Sequence, residues 1–385
     1  MDDLDIASMV WLPFKSKVIQ FYLYDSSRKL KFKSSFKIFP LKFTLALINT
    51  SLRNKAPMFN KIIEFFSHFI RWSLLLDNGY LLTLNGIYYL KDFERIHTTS
   101  RFGEAVGYLF MERQGYSFYA HFEDIFQTRK KHPDYLFLFP TRNILALTEF
   151  KGHYGNSVRF GFWKHLEKPM KNQIVPWIGK TLNQNLIPSK AWITSSYFNG
   201  KNSSELHALD PDLNGFIPVD NPDAILRENF GRWLQIMGLD REGLALRLKQ
   251  ILPFDLVHPI PFEVKEIASH DFAFPSQEKL KESEFEIKKI YHYGFPIFLP
   301  IFVRIYPFYS YLCFAGYPIR IGLLLDTLEK VFHTLRNGEP LRLVRTLPLE
   351  LVERSNDNIA YFSDGAIGLI EEEYVKYDVK EVIRL

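Results

Sequence analysis

The sequence predicts an α+β protein whose central part, residues 96–202, has the element order α-β-β-β-α-β. Three observations lead there. A helical stretch is bracketed by the cap-forming Thr98-Thr99-Ser100, with Glu104 near its start, and runs to about Gln114 before Gly115. Three strand-like runs follow at residues 117–127, 134–139 and 144–150, the last two parted by the turn-forming Pro140-Thr141-Arg142-Asn143. A helical stretch over residues 163–185, limited or kinked at Pro169 and Pro176, then leads into a strand at 190–198 closed by Asn199-Gly200.

The bulk numbers frame this core. A chain of 385 residues exceeds the size at which single cores stop growing, so further domains are expected on either side. We place a small mixed α/β domain at residues 1–95 and a larger, partly helical and acidic region at 203–385. Apolar residues at 47% and aromatic residues at 16% favour well-buried cores over disorder. The single cysteine, Cys313, excludes an internal disulfide framework and a cysteine-based zinc site. Together with an acidic Met1-Asp2-Asp3-Leu4-Asp5 start, unlike a signal peptide, it points to a cytoplasmic protein. Residues 295–319 are long enough to span a bilayer. Four prolines and Arg304 argue against a lipid-facing helix and for short buried strands, so no membrane partner is expected.

The flanks read as follows. Residues 18–24 and 29–43 are expected strands, and a helix is expected near 57–76. Asp77-Asn78-Gly79 marks a turn, and residues 80–84 one strand of a hairpin closed near Asn85-Gly86. Beyond residue 205 the composition indicates loops, then two helices. The first starts after Asn221-Pro222 and stops at Gly238; the second is capped by Asp240 and stops before Pro253. Residues 321–335 read as an amphipathic helix ended by Asn337-Gly338.

Charge is distributed unevenly. Lys and Arg outnumber Asp and Glu by 14 to 8 in residues 1–100 and by 13 to 7 in residues 101–200, whereas residues 201–385 hold 21 against 28. A basic first half suits a polyanion such as nucleic acid.

The chemistry concentrates in one hairpin. If Thr141-Arg142 is its tip, residues whose numbers sum to 283 face one another, and Asp134 stands across from Glu149. Side chains alternate along a strand, so Glu149 and Lys151 share a face, and Asp134 joins them there. The rest of the hairpin is almost entirely apolar, and a structural sheet gains nothing from two adjacent carboxylates. Phosphodiester hydrolysis needs such a set. Two carboxylates hold Mg²⁺ with water and a phosphate oxygen completing the shell, and a lysine beside them orients water and stabilises developing negative charge. Glu104, on the preceding helix, would be a further carboxylate for the metal or its water shell.

Asp134…Glu149-Phe150-Lys151, with His132-Pro133-Asp134 keeping a Pro-Asp element, resembles the signature of the PD-(D/E)xK, or restriction-endonuclease-like, nuclease superfamily. The α-β-β-β-α-β order is similar to that family's core. Glu104 matches the glutamate many members carry on the first helix, and Gln173 with Trp177 resembles a Gln-x-x-x-Tyr motif on the second, with Trp replacing Tyr. The resemblance covers about a quarter of the chain. It implies a Mg²⁺-dependent endonuclease acting on DNA, with Mn²⁺ as a substitute, Asp134, Glu149 and Glu104 as metal ligands, Lys151 as a catalytic residue, and Gln173 near the nucleic acid. It also implies a setting in restriction or phage defence. The alternatives are a nuclease-like binding or assembly subunit without strong cleavage, and an RNA-directed nuclease.

Further candidates lie around and beyond this set. Arg129-Lys130-Lys131, just before Asp134, is placed to meet a phosphate. Lys29, Lys31 and Lys33, extended by Arg28, Lys37 and Lys42, either track a nucleic-acid backbone or protect an edge strand from aggregation. His132 and His153 flank the site and either touch a phosphate or remain solvated. Glu371-Glu372-Glu373 reads as a solvated helix face. There is no Gly-x-Ser-x-Gly elbow and no Walker-type phosphate loop, so a motor or specificity function would come from a partner subunit.

Overall fold

A computed structural model describes residues 16–51, 82, 84, 87, 90–154, 161–198, 204–211, 216–237, 239–253, 287–292, 295–300, 319–342, 344–356 and 359–370. Outside the described residues lie the expected helix at 57–76, the turns at Asp77-Asn78-Gly79, Asn85-Gly86 and Asn199-Gly200, Cys313, and Glu371-Glu372-Glu373.

The fold is α+β, with two sheets and eight helices among the described residues. Chain order begins with β1 (Lys17–Tyr24), β2 (Leu30–Ile38), α1 (Pro40–Ser51) and α2 (Asp92–Arg113). It continues with β3 (Phe118–His121), α3 (Phe122–Ile125), β4 (Tyr135–Phe139), β5 (Ile144–His153) and α4 (Phe162–Pro169). A π-turn at Met170–Ile174 follows α4, and then come β6 (Lys190–Phe198) and β7 (Ser204–Leu209).

These seven strands form one sheet in the order β2-β1-β7-β6-β5-β4-β3. β3, β4 and β5 are an antiparallel meander, and β6 returns through α4 to lie parallel to β5. β7 is antiparallel to β6, and β1 runs parallel to β7 with β2 as the outer edge. Strands from all three expected segments therefore share this sheet.

The second half adds α5 (Asp223–Ile236), α6 (Asp240–Arg247), β8 (Ile287–His292), β9 (Phe295–Pro300), β10 (Ile319–Leu324), α7 (Leu325–Asn337), α8 (Leu349–Val352), β11 (Ile359–Tyr361) and β12 (Ala366–Ile370). The second sheet has the order β11-β12-β10-β9-β8. Leu45 of α1 lies against Gly368 of β12, joining the sheets through one apolar core. No helix among the described residues is long and apolar enough to cross a membrane, and residues 295–300 form a strand.

Several local expectations give way to longer-range structure. The strand expected over 29–43 ends at Ile38, because Pro40 opens a helix, where its missing N–H costs nothing. Thr98-Thr99-Ser100 lies inside α2, which starts at Asp92 with Asp92 and Glu94 in its first turn. The Thr99 hydroxyl donates back to the Arg95 carbonyl at 3.0 Å instead of capping. The strand expected over 117–127 stops at His121 and turns into α3. Residues 204–209, read as loop, form β7 between β6 and β1. The helix expected over 321–335 begins only at Leu325, because the preceding residues pair as β10 with β12.

α2 packs on one face of the large sheet, and the contact is close. A Cβ on Gly103 would meet the Gly152 backbone, one on Gly152 would be driven into the Thr99 carbonyl, and one on Gly107 would meet the Phe150 ring. Phe150 and Gly152 thus face α2. Alternation sends Glu149, Lys151 and His153 to the other face, where α4 and the π-turn pack.

Candidate active site

The hairpin that carries the site has the register Tyr135↔Thr148 through Phe139↔Ile144, turning through Asn143 at a φ of 52°. Asparagine tolerates this left-handed conformation better than most residues. Asp134 stands immediately before β4, and its backbone N–H donates to Glu149 Oε2 at 3.0 Å. Asp134 and Glu149 therefore meet at the open end of the hairpin, with Lys151 two residues further along β5.

The electrostatics are those of two carboxylates sharing one cation. Glu149 is fully buried, and its Oε1 receives both the Lys151 ammonium, as a close ion pair, and the Gln173 side-chain N–H at 2.7 Å. Lys151 Nζ is also 4.0 Å from Asp134 Oδ2, and that oxygen lies 3.5 Å from the Phe150 amide. Burial, and then the Asp134 charge, push the Glu149 carboxyl above its usual range, against the opposing pull of Lys151 and Gln173. Burial opposes the Lys151 charge, but Asp134, Glu149 and Glu104 outweigh it and raise its pKa, so the ammonium is retained at neutral pH.

Gln173 and Trp177 brace this arrangement from the opposite element. The expected helix over 163–185 ends early. After Pro169 the backbone widens into the π-turn, which presents Gln173 to Glu149 and to the His132 carbonyl, the latter at 3.1 Å. Trp177 follows in a turn, and its indole N–H donates to the Lys131 carbonyl at 2.8 Å. The loop bearing Arg129-Lys130-Lys131 is thus fastened at its base while its three cationic side chains stay exposed. His132 stacks on Phe122 with ring centroids 5.2 Å apart and is not a solvated loop histidine.

Glu104 is not gathered with the pair. It projects from α2, on the opposite face of the sheet, and accepts from the Tyr135 hydroxyl at 2.9 Å with Arg101 3.6 Å away. Its charge still reaches Lys151. Among the described residues no group of three or more His, Cys, Asp or Glu side chains is arranged to hold a metal ion.

The sequence reading missed Tyr135 as a partner of Glu104 and His165 as a partner of His153. Tyr135 anchors Glu104, and its only sequence signal was its place beside Asp134. His153 stacks on His165, centroids 4.0 Å apart, and His165 Nδ1 lies 2.8 Å from the Tyr197 hydroxyl. Burial, then His165 and Lys151, lower the His153 pKa to about 4, so this histidine is neutral. The lysines of residues 29–37 lie on and just before β2, an outer edge of the large sheet, and Lys33 sits over the Tyr22 ring. Lys42 is instead buried in α1 against Glu112.

The donor set suits a small, hard cation in part. Asp134 and Glu149 supply carboxylate oxygens, and Mg²⁺ commonly takes only one or two carboxylates, with water and phosphate supplying the rest. Glu149 is fully buried beside Asp134, where a nearby cation favours its charged form. No protein-family model matches the chain, and comparison with curated proteins and with solved structures also finds no match.

Proposed function

We propose that the chain is a divalent-cation-dependent nuclease of the PD-(D/E)xK type that hydrolyses phosphodiester bonds, with DNA as its substrate. The observation that carries this reading is the convergence of Asp134, Glu149 and Lys151 at the open end of an otherwise apolar hairpin. The order α2-β3-β4-β5-α4-β6, with β6 parallel to β5, supports it. A restriction or phage-defence role rests on family analogy, and a cytoplasmic setting on the single cysteine.

Asp134 and Glu149 would hold the cation, and Glu104, bonded to Tyr135, adds negative charge that reaches Lys151. When bound, the metal makes a coordinated water more acidic and neutralises charge on the phosphate. Lys151 is protonated and about a third exposed, and it can turn its remaining N–H bonds toward a phosphate oxygen or the attacking water. Gln173 holds the Glu149 carboxylate in one orientation, and the Arg129-Lys130-Lys131 loop meets the flanking backbone phosphates.

A plasmid-cleavage assay tests the reading. Mg²⁺ or Mn²⁺ should support nicking, and excess chelator should abolish it. Asp134→Ala, Glu149→Ala and Lys151→Ala should each lose most of the activity, and a double variant should be scarcely worse than the singles. Full activity in chelator refutes the metal dependence. A second reading, a nucleic-acid-binding assembly subunit without strong cleavage, is favoured by the Lys151–Glu149 pair and the want of a third gathered carboxylate among the described residues. Chelator-insensitive binding with no cleavage by the wild type would select it.

A further inference from the structure

We infer that the outer face of α4 and its π-turn is a second phosphate-backbone surface, along which a nucleic-acid strand runs as it enters or leaves the site. The inference rests on the proposed nucleic-acid substrate and names the part of the protein that holds it. Lys164, Lys168 and Lys171 are all exposed and recur at intervals of four and three residues, which places them on one side of a helical segment. At about 1.5 Å of rise per residue the stripe spans roughly 10 Å. That length covers roughly three phosphates of one strand, at about 3.4 Å of axis each.

Local acids do little to cancel this stripe. Glu167, on the same helix, is ion-paired to Arg28 of the β1–β2 turn, whose guanidinium also lies 5.5 Å from the Trp163 ring centroid. Glu123 is exposed but faces His132 at 3.4 Å. The same segment carries Gln173, which touches Glu149, and leads to Lys180 over the Trp177 ring. Gln173 and Trp177 each bond the backbone of the loop that bears Arg129-Lys130-Lys131. Two basic arms are therefore pinned together beside Glu149, one a loop and the other a helix. Steric accessibility and sign of charge both suit a polyanionic backbone, whichever its bases.

The test is a titration of the full chain against labelled duplex DNA and labelled single-stranded RNA, in chelator, over a series of salt concentrations. The variants are Lys164→Gln/Lys168→Gln/Lys171→Gln and, as a comparison among exposed cations of the acidic second half, Arg241→Gln/Lys330→Gln/Arg342→Gln. For duplex, each lost phosphate contact removes about 0.9 from the slope of log affinity against log salt, so the helix variant should lose roughly 2 to 3. This comparison variant should keep the wild-type slope. The nucleic acid with the larger slope change is the one this face holds. An unchanged slope for the helix variant on both ligands overturns the inference, as does failure of the wild type to bind either one. Binding with the expected slope change in a chain that never cleaves would keep this surface and remove the nuclease reading. Metal-dependent cleavage with an unchanged slope would do the reverse.

Discussion

Replacing Lys151 with methionine keeps most of the side-chain volume and removes the ammonium that Asp134 and Glu149 share. At the 4.0 Å separation from Asp134, an effective dielectric near 20 gives an attraction of about 4 kcal/mol, and Glu149 is closer still. Breaking a buried pair by removing one partner typically costs about 3–5 kcal/mol. Lys151 is about a third exposed, so solvent screening reduces the expected loss to about 2–3 kcal/mol at neutral pH. The loss should depend on pH with a definite sign. Glu149 has a folded pKa above its ordinary 4.5, so its ionisation lowers stability as pH rises from about 4.5 toward that raised value. Lys151 is one of the groups holding that value down, so its removal deepens the fall. The Lys151 contribution itself is present below its ordinary 10.5, wherever the carboxylates are charged. The gap between variant and wild type should therefore widen progressively from pH 4 toward pH 8. Urea unfolding in chelator across that range measures the difference. A gap that is absent at pH 8, or equally large at pH 4, refutes the account of two carboxylates sharing one ammonium.

Gly152→Ala should destabilise the fold by about 3 kcal/mol or more, because the new methyl meets the Thr99 carbonyl and neither backbone can yield; a thermal melt matching wild type would contradict this. Gln173→Ala removes a donor that helps keep Glu149 ionised, so the acidic limb of the pH–rate profile for cleavage should move to higher pH, and an unmoved limb would release Gln173 from the site. Substituting Arg129, Lys130 and Lys131 with glutamine should weaken binding to all DNA sequences alike and flatten the salt dependence by roughly 2 to 3, leaving single-turnover cleavage at saturating protein close to wild type; a loss confined to one sequence would mean base contacts instead.

What the sequence determined by itself was local. The hairpin register followed from one turn, because Pro140-Thr141-Arg142-Asn143 lies between two apolar runs and its tip fixes which residues face one another. That register placed Asp134 opposite Glu149 and Lys151 beside them. Strand β6 and the helices after Asn221 and near Asp240 were legible for the same reason, since their periodicity and end signals lie within a few residues. The tertiary structure decided which distant elements meet. Residues 204–209 become a strand only because β1, about 180 residues earlier in the chain, and β6 supply their backbone partners. Residues 319–324 pair as β10 with β12, although their apolar spacing reads equally as helix. Glu104 was correctly placed on a helix, yet which face of the sheet that helix covers was settled by the fit of Gly103 and Gly107 against Gly152 and Phe150. Packing on that face directs Glu104 to Tyr135 and leaves Gln173, from the other side, to hold Glu149. Spacing along a chain encodes which side chains share a strand face, but helix docking depends on close packing between surfaces that are remote in sequence.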